Sequence, residues 1–458
     1  MSSFNDFGLS PAMLTNLAHL GFETPTEIQA KAIRPGLSGR DVIAMAKTGS
    51  GKTAAFGISL VERLNPKLFA VQALVLCPTR ELADQVAKAV RELARARENI
   101  KVLTLCGGVP IGPQIGSLSH GAHVVVGTPG RIQDHLRKQT LSLGRLKTVV
   151  LDEADRMLDM GFQEAMEDIL SQTPPARQTL MFSATWPDAI RDLSRQYQKD
   201  PLDIRAQEGG GDNPDIEELF YEVSPSSRTD AVVALLSERQ PESCIVFCTT
   251  KQHCDELATE LGDRGFSALA LHGDLEQKDR DSVLVRFGNQ SCSILVATDV
   301  AARGLDIKSL PLVVNAEPAR DPEVHTHRIG RTGRAGEQGH AITFCTPAQG
   351  HKISRIEAER GRSVVWGDTE ALLANPIRPV APAMSTLCIA AGRKDKLRPG
   401  DVLGALTGEA GIAGSAVGKI DLFDHQCFVA VEKSLAAKAL SRLESGRVKG
   451  RKMRVRYA

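Results

Sequence analysis

A chain of 458 residues with 42% hydrophobic content has room for roughly two to four domains with full cores. Its 56 basic and 55 acidic side chains leave a net charge of +1, which excludes a wholly basic nucleic-acid coat and confines any nucleic-acid site to a local patch. Aromatics at 4% argue against recognition built mainly on stacking bases against rings, while contacts to phosphate and sugar stay open. The nine cysteines are scattered without a Cys-x-x-Cys pair, and Cys244 and Cys248 fall on an apolar strand pattern, so reduced core thiols in a cytoplasmic protein are expected. The N-terminus shows neither the basic flank nor the apolar core of an export signal, and no run of about 18 apolar residues occurs, so export and membrane spanning are both disfavoured.

Up to about residue 205, apolar runs alternate with helical stretches. Strands are expected at residues 41–45, 73–77, 101–105, 123–126, 148–151 and 179–182, and this spacing implies a parallel sheet covered on both faces. Residues 208–216 are polar and glycine-rich and read as a linker. The alternation resumes with strands expected at 244–248, 268–271, 293–297, 312–314 and 341–344, which makes a second α/β domain. The proline-rich stretch 373–384 forms a second boundary. Beyond it the pattern is β-α-β-β-α-β: strands at 386–389, 417–422, 427–431 and 452–457, with helices after Pro399 and over 434–443. Residues 384–458 carry 14 basic and 7 acidic side chains, so the local positive charge sits in this third domain. The expected domains are 1–207, 217–372 and 385–458.

Two loops carry chemistry. Ala46, Lys47, Thr48, Gly49, Ser50, Gly51, Lys52 and Thr53 follow the first strand and open a helix, the context of a phosphate-binding loop. Backbone N–H groups and the helix N-terminus would hold phosphate, Lys52 would reach the terminal phosphates, and the Thr53 hydroxyl would bind Mg²⁺. The strict pattern has Gly where Ala46 stands, but Gly49 and Gly51 still allow close backbone approach. About 100 residues on, the strand at 148–151 ends in Asp152 and Glu153. Acids in the first turn of a helix are the bland reading; with the phosphate loop present, Asp152 faces Mg²⁺ and Glu153 orients or deprotonates water.

The full series of motifs resembles the DEAD-box RNA helicase family, named for the residues Asp152, Glu153, Ala154 and Asp155. The resemblance spans roughly residues 4–350 and implies two RecA-like parallel-sheet helicase domains acting on ATP with Mg²⁺. Residues 21–29, with Phe22 and Gln29, are similar to the family's Q motif, and Phe4 matches its upstream aromatic. A Gln amide can pair with donor and acceptor on the adenine edge, so Gln29 selects ATP; a helix-capping turn over 24–26 is compatible with that. Pro78, Thr79 and Arg80, then Gly107 and Gly108, then Thr128, Pro129, Gly130 and Arg131 each follow a strand, and the resemblance implies that they hold one RNA strand by its backbone. Ser183 and Thr185 match the motif that couples hydrolysis to strand separation. In the second domain Gln277, Arg280, Thr298 and Arg303 match RNA contacts, Asp306 a ribose or coupling contact, and His327 a bridge between motifs. Arg331 and Arg334 match the arginine fingers that stabilise the transferring phosphoryl group.

The last 75 or so residues resemble the RNA-binding domain of the DbpA subgroup of that family, a small α+β fold related to the RRM. The resemblance implies binding of large-subunit (23S) ribosomal RNA in pre-50S particles. An RRM stacks bases on aromatics of its central strands, but here only Phe428 fits, and it also suits a core. The basic end is the better RNA candidate, and alternation would put Lys452, Arg454 and Arg456 on one strand face. The expected function is ATP-dependent local unwinding of structured RNA. A DNA translocase with the same engine and an ATP-gated RNA clamp with little unwinding are the alternatives.

Overall fold

The structure, a computed structural model, describes residues 3–46, 49–205, 216–302, 310–333, 338–408 and 411–458. The chain divides into two compact units at Gly209/Gly210.

The first unit is a seven-stranded sheet of β1 (Val42–Met45), β2 (Ala73–Leu76), β3 (Val102–Leu105), β4 (Val124–Gly127), β5 (Thr148–Asp152), β6 (Gln178–Ser183) and β7 (Leu202–Arg205), in the order β3-β4-β2-β5-β6-β1-β7. All its pairings are parallel. Strands β2, β4, β5 and β6 are buried at every position, because helices cover both faces and leave no side for polar residues. Helices pack one face with Ala55, Phe56, Ile58, Val86 and Val90 and the other with Met157, Met166, Ile169 and Leu193. Strand β7 escapes the sequence pattern because it is an edge strand whose Asp203 and Arg205 are exposed.

The second unit holds a six-stranded parallel sheet of β8 (Ile216–Glu222), β9 (Cys244–Cys248), β10 (Ala268–Leu271), β11 (Ile294–Thr298), β12 (Leu312–Asn315) and β13 (Gly339–Cys345), ordered β10-β11-β9-β12-β13-β8. Strand β8 is likewise at an edge, and its Glu217, Glu218 and Glu222 hide it in the sequence. All nine cysteines are free and buried, as expected of core thiols. No helix of the described residues is long and apolar enough to cross a membrane.

In the same unit, β14 (Met384–Ile389), β15 (Val417–Leu422), β16 (Cys427–Glu432) and β17 (Val455–Tyr457) make an antiparallel sheet in the order β15-β16-β14-β17. With its two helices this is the split β-α-β arrangement expected for the third domain. Leu387, Ile389, Val429, Val431 and Val455 pack on the helices Pro399–Thr407 and Ala436–Ser445. The last strand is shorter than the expected 452–457. A tight hairpin at Val448–Arg451, with Lys449 at φ 53° and Gly450 at φ 75°, delays it, so Lys452 precedes the strand and the alternation argument does not reach it.

The opposite face of this sheet is also covered. Cys388 and Phe428 are each 3% exposed and pack against Val285 of the helix Gln277–Gly288. Beside them, the Asn289 amide donates to Thr386 Oγ1 at 2.8 Å and the Thr386 hydroxyl donates to Ser291 Oγ at 2.7 Å. The proline-rich connection is held as well: Asn375 bonds Glu238 at 2.7 Å and the Arg378 N–H bonds Ser237 Oγ at 3.1 Å.

Candidate functional site

The carboxyl ends of β1, β5 and β6 meet in the first unit, the place where open parallel sheets hold ligands. Gly49 (φ 85°) and Gly51 (φ 92°) turn the loop after β1 in the left-handed region, which residues with a Cβ resist. A side chain at Gly51 would strike the Gln29 amide. The helix Lys52–Glu62 then starts with free N–H groups aimed into the loop. Lys52 is buried and donates to the Ala46 carbonyl at 2.9 Å across the loop. The buried Ser50 hydroxyl has no partner among the described residues, and Thr53, three residues on, is half-buried.

Gln29 joins this loop. Its Oε1 accepts from the Thr26 N–H at 2.9 Å, and its Nε2 donates to the Gly51 carbonyl at 3.2 Å, while the Thr26 hydroxyl reaches the Ser50 carbonyl at 2.8 Å. The capping turn and the phosphate loop are thus one construction. An amide has two hydrogens and two lone pairs, so one of each is left for an adenine edge. Phe4 is 5% exposed and meets Phe7 and Phe22 edge-on, with centroids 6.0 and 6.2 Å away. Phe4 therefore belongs to the core that backs this site, and Phe22 is half-buried at its margin.

The acidic loop is built asymmetrically. Asp152 is 3% exposed, and among the described residues its Oδ1 has no hydrogen-bond partner. Burial, opposed by Lys52 and reinforced by Glu153, pushes its carboxyl up to about 7. Glu153 sits at φ 53°, ψ 54°, a left-handed conformation that costs a non-glycine residue about 1–2 kcal/mol. Asp155, three residues on, is saturated: its Oδ2 accepts from the Thr185 N–H at 2.8 Å, the Thr185 hydroxyl at 2.9 Å and the Ala184 N–H at 3.1 Å. Burial alone would raise its pKa, but these bonds from Thr185, with Ser183, hold it below the ordinary carboxylate value. Ser183 Oγ accepts the Asp155 N–H at 3.2 Å, and the Ser183 carbonyl accepts the Ala46 N–H at 3.1 Å. Ser183 therefore touches the acidic loop with one group and the phosphate loop with another. A buried carboxylate with one unpartnered oxygen at the strand end beside a phosphate loop that carries a Thr hydroxyl is a donor set that fits Mg²⁺.

The loops after β2, β3 and β4 brace one another. Thr79 caps its helix by accepting the Leu82 N–H at 3.2 Å. The Arg80 guanidinium lies over Gly108, whose φ of 68° and missing Cβ make room for it. Thr128 and Pro129 open the next helix, and Gly130 is exposed. Arg131 does not offer a free fork: its Nη1 donates to Gln114 Oε1 and its Nη2 to the Val109 carbonyl, each at 2.9 Å. Arg131 holds the loop near Gly107 and Gly108 in shape.

In the second unit, Gln277 and Arg280 lie in the first turn of the helix Gln277–Gly288, and Thr298 is buried at the end of β11. His327 is half-buried and Arg331 is 6% exposed. Lys47, Thr48, Arg303, Asp306 and Arg334 lie outside the described residues. The residue missed from sequence is Arg328. Its guanidinium grips Asp299 twice, at 2.6 and 2.9 Å, and donates to Asn315 Oδ1 at 3.1 Å and the Glu317 carbonyl at 2.9 Å. It also lies 5.2 Å from the centre of the Phe247 ring. Arg328 thereby fixes the start of the 299–302 helix against the helix that carries His327 and leads to Arg331. It stands among several arginines, and nothing in the local pattern says which one turns inward. Arg454 and Arg456 are exposed on the third domain, as is Lys452.

The chain is similar to known proteins along its whole length. Residues 26–193 match the family described as DEAD/DEAH box helicase, 227–336 the helicase conserved C-terminal domain, and 386–457 the DbpA RNA binding domain. The ATP-dependent RNA helicase DbpA of Escherichia coli (strain K12) is 53% identical over 457 residues, covering 100% of this chain and 99% of that protein. The DEAD-box ATP-dependent RNA helicase CshA of Geobacillus kaustophilus is 47% identical over 364 residues, 80% of this chain and 78% of its own. Among solved structures, S. cerevisiae Dbp5 bound to RNA and ADP BeF3 is 30% identical with a TM-score of 0.73, covering 81% of this chain and 100% of that one.

Proposed function

The chain belongs to the DEAD-box ATP-dependent RNA helicases, and from that premise we propose which of its residues run the reaction and on which RNA. As an RNA-dependent ATPase it converts ATP and water to ADP and phosphate. Gln29 reads the adenine edge, with Phe22 and Phe4 behind it. The backbone of residues 46–51 and Lys52 hold the phosphates. Thr53 and Asp152 hold Mg²⁺, which when bound neutralises charge on the phosphate oxygens. Glu153 orients the attacking water and takes its proton, and Arg331 and Arg334 supply positive charge to the transferring phosphoryl group. Asp306 completes the nucleotide contacts. Ser183, Thr185 and His327 couple these events to the RNA grip of residues 78–80, 107–108, 128–131, Gln277, Arg280, Thr298 and Arg303.

The observation that carries this reading is the pairing of opposite carboxylates. Asp152 is left unsatisfied and ready for a cation, while Asp155 is tied to the strand end that also touches the phosphate loop. Glu153→Gln should lower RNA-stimulated ATP hydrolysis by at least about 10²-fold while ATP still binds. Undiminished turnover in that variant would sink the assignment.

The RNA is proposed to be large-subunit (23S) ribosomal RNA, in pre-50S particles in the cytoplasm, with residues 385–458 as the targeting domain. This is supported by the match to the DbpA RNA binding domain and by that domain's basic balance. Removing residues 384–458 should abolish any preference of the ATPase for ribosomal over bulk RNA. An equal preference before and after removal counts against targeting.

A further inference from the structure

We propose that the seam between the second parallel-sheet domain and the C-terminal domain is an RNA-backbone site, with Lys278 on one side and Arg454 and Arg456 on the other. It rests on the RNA helicase reading above and locates a contact that the sequence motifs do not name. The starting point is the covered sheet face. Thr386, Cys388 and Phe428 stand where an RNA-binding sheet would present its bases with a platform, yet each is buried against the helix Gln277–Gly288 or the turn that follows it. That face is used for intramolecular docking, so the domain must meet RNA elsewhere.

Where the docked surfaces part, beside β17, they leave a cleft of about 670 Å³. Its rim includes Lys278 from the parallel-sheet domain and Arg454, Arg456, Gln426 and Glu444 from the C-terminal domain. Three cations thus face a single carboxylate. Lys278 and both arginines are exposed, and among the described residues Arg456 donates only to the Tyr457 carbonyl, at a long 3.3 Å. Arg456, Lys278 and Cys388 all line this one cleft. Like charges held together by two separate folds repel unless an anion lies between them. Phosphate is the anion the geometry suits, because guanidinium forks and an ammonium reach its oxygens and none of the described residues lining the cleft is aromatic; Phe428 is buried and edge-on to Phe423, with centroids 5.6 Å apart. Lys278 also shares its helical turn with Gln277 and Arg280, so a strand leaving those residues has a charged path to the cleft.

The test uses the full chain, a fluorescein-labelled RNA hairpin with a mixed-sequence single-stranded tail, and anisotropy titrations over a series of KCl concentrations. Lys278→Gln and Arg456→Gln should each weaken binding about five-fold and flatten the log-log salt dependence by about 0.7, the loss expected for one phosphate contact. Lys438→Gln, an exposed lysine on the helical side of the same domain, should change binding less than about two-fold. Cleft variants that bind like the unaltered chain, or no worse than Lys438→Gln, overturn the proposal. So does displacement of the RNA by polyglutamate at matched charge, which would mark an acidic-protein site. RNA-stimulated ATP hydrolysis by the unaltered chain is measured alongside. Its absence would remove the helicase reading itself, whereas its presence with unchanged cleft binding removes only the cleft.

Discussion

The acidic loop of the first unit and the Arg328 centre of the second solve the problem of buried charge in opposite ways. Asp152 is desolvated with one oxygen unpartnered, and its carboxyl responds by rising to about 7. Arg328, equally desolvated, has every side of its guanidinium occupied by Asp299, Asn315, the Glu317 carbonyl and the Phe247 ring. The first arrangement leaves one buried carboxylate oxygen without a hydrogen bond among the described residues; the second fixes two motif segments to each other.

The widest separation is expected from removing one charge at each centre. Arg328→Met leaves Asp299 without its partner and should cost the second unit about 3–5 kcal/mol, read as a lower midpoint in urea. Asp152→Asn should not lower the stability of the first unit, since burial already penalises the Asp152 charge and no hydrogen bond of Oδ1 is lost. Equal losses in the two variants would dissolve the contrast. Asp155→Asn tests the middle case: it keeps the shape but turns an acceptor of three bonds partly into a donor, at about 1–3 kcal/mol. It should also lower RNA-stimulated hydrolysis, and full activity would uncouple the Ser183 and Thr185 contacts from function.

Smaller effects sharpen the same point. Thr386→Val strips the docking face of its one hydroxyl bridge to Asn289 and Ser291 and should cost about 1–2 kcal/mol, measurable as earlier proteolysis between the two domains. A pH-dependent effect concerns Glu317. Burial alone would raise its pKa, but bonds from His253 and Thr249 and the charge of Arg228 bring it down to about 2 from 4.5. A depressed carboxylate contributes stability that is present above pH 4.5 and lost as pH falls toward about 2. Glu317→Gln should therefore flatten the acid limb of the stability curve, and an unchanged acid midpoint would contradict that linkage.

Much of the site was legible in the chain because its signals are local. A glycine pair between a strand and a helix, acids closing an apolar run, and hydroxyls after another such run all lie within about ten residues of the element that presents them. The fully buried central strands were equally plain, since a sheet covered on both faces reads as unbroken apolar sequence. The edge strands β7 and β8 were not, because one exposed face fills them with Asp, Arg and Glu.

What the tertiary structure alone decided is which polar groups find partners. Asp152 and Asp155 look alike in sequence, yet only Asp155 meets Thr185, 30 residues away. Arg131 is turned to Gln114, 17 residues back, and Thr386 meets Asn289 across 97 residues. Periodicity and loop chemistry are fixed by neighbours along the chain, so the amino-acid sequence determined the elements and the candidate residues. Desolvation and hydrogen-bond pairing are fixed by neighbours in space, and they separated the unpartnered acid from the tethered one and the docking face from the basic rim.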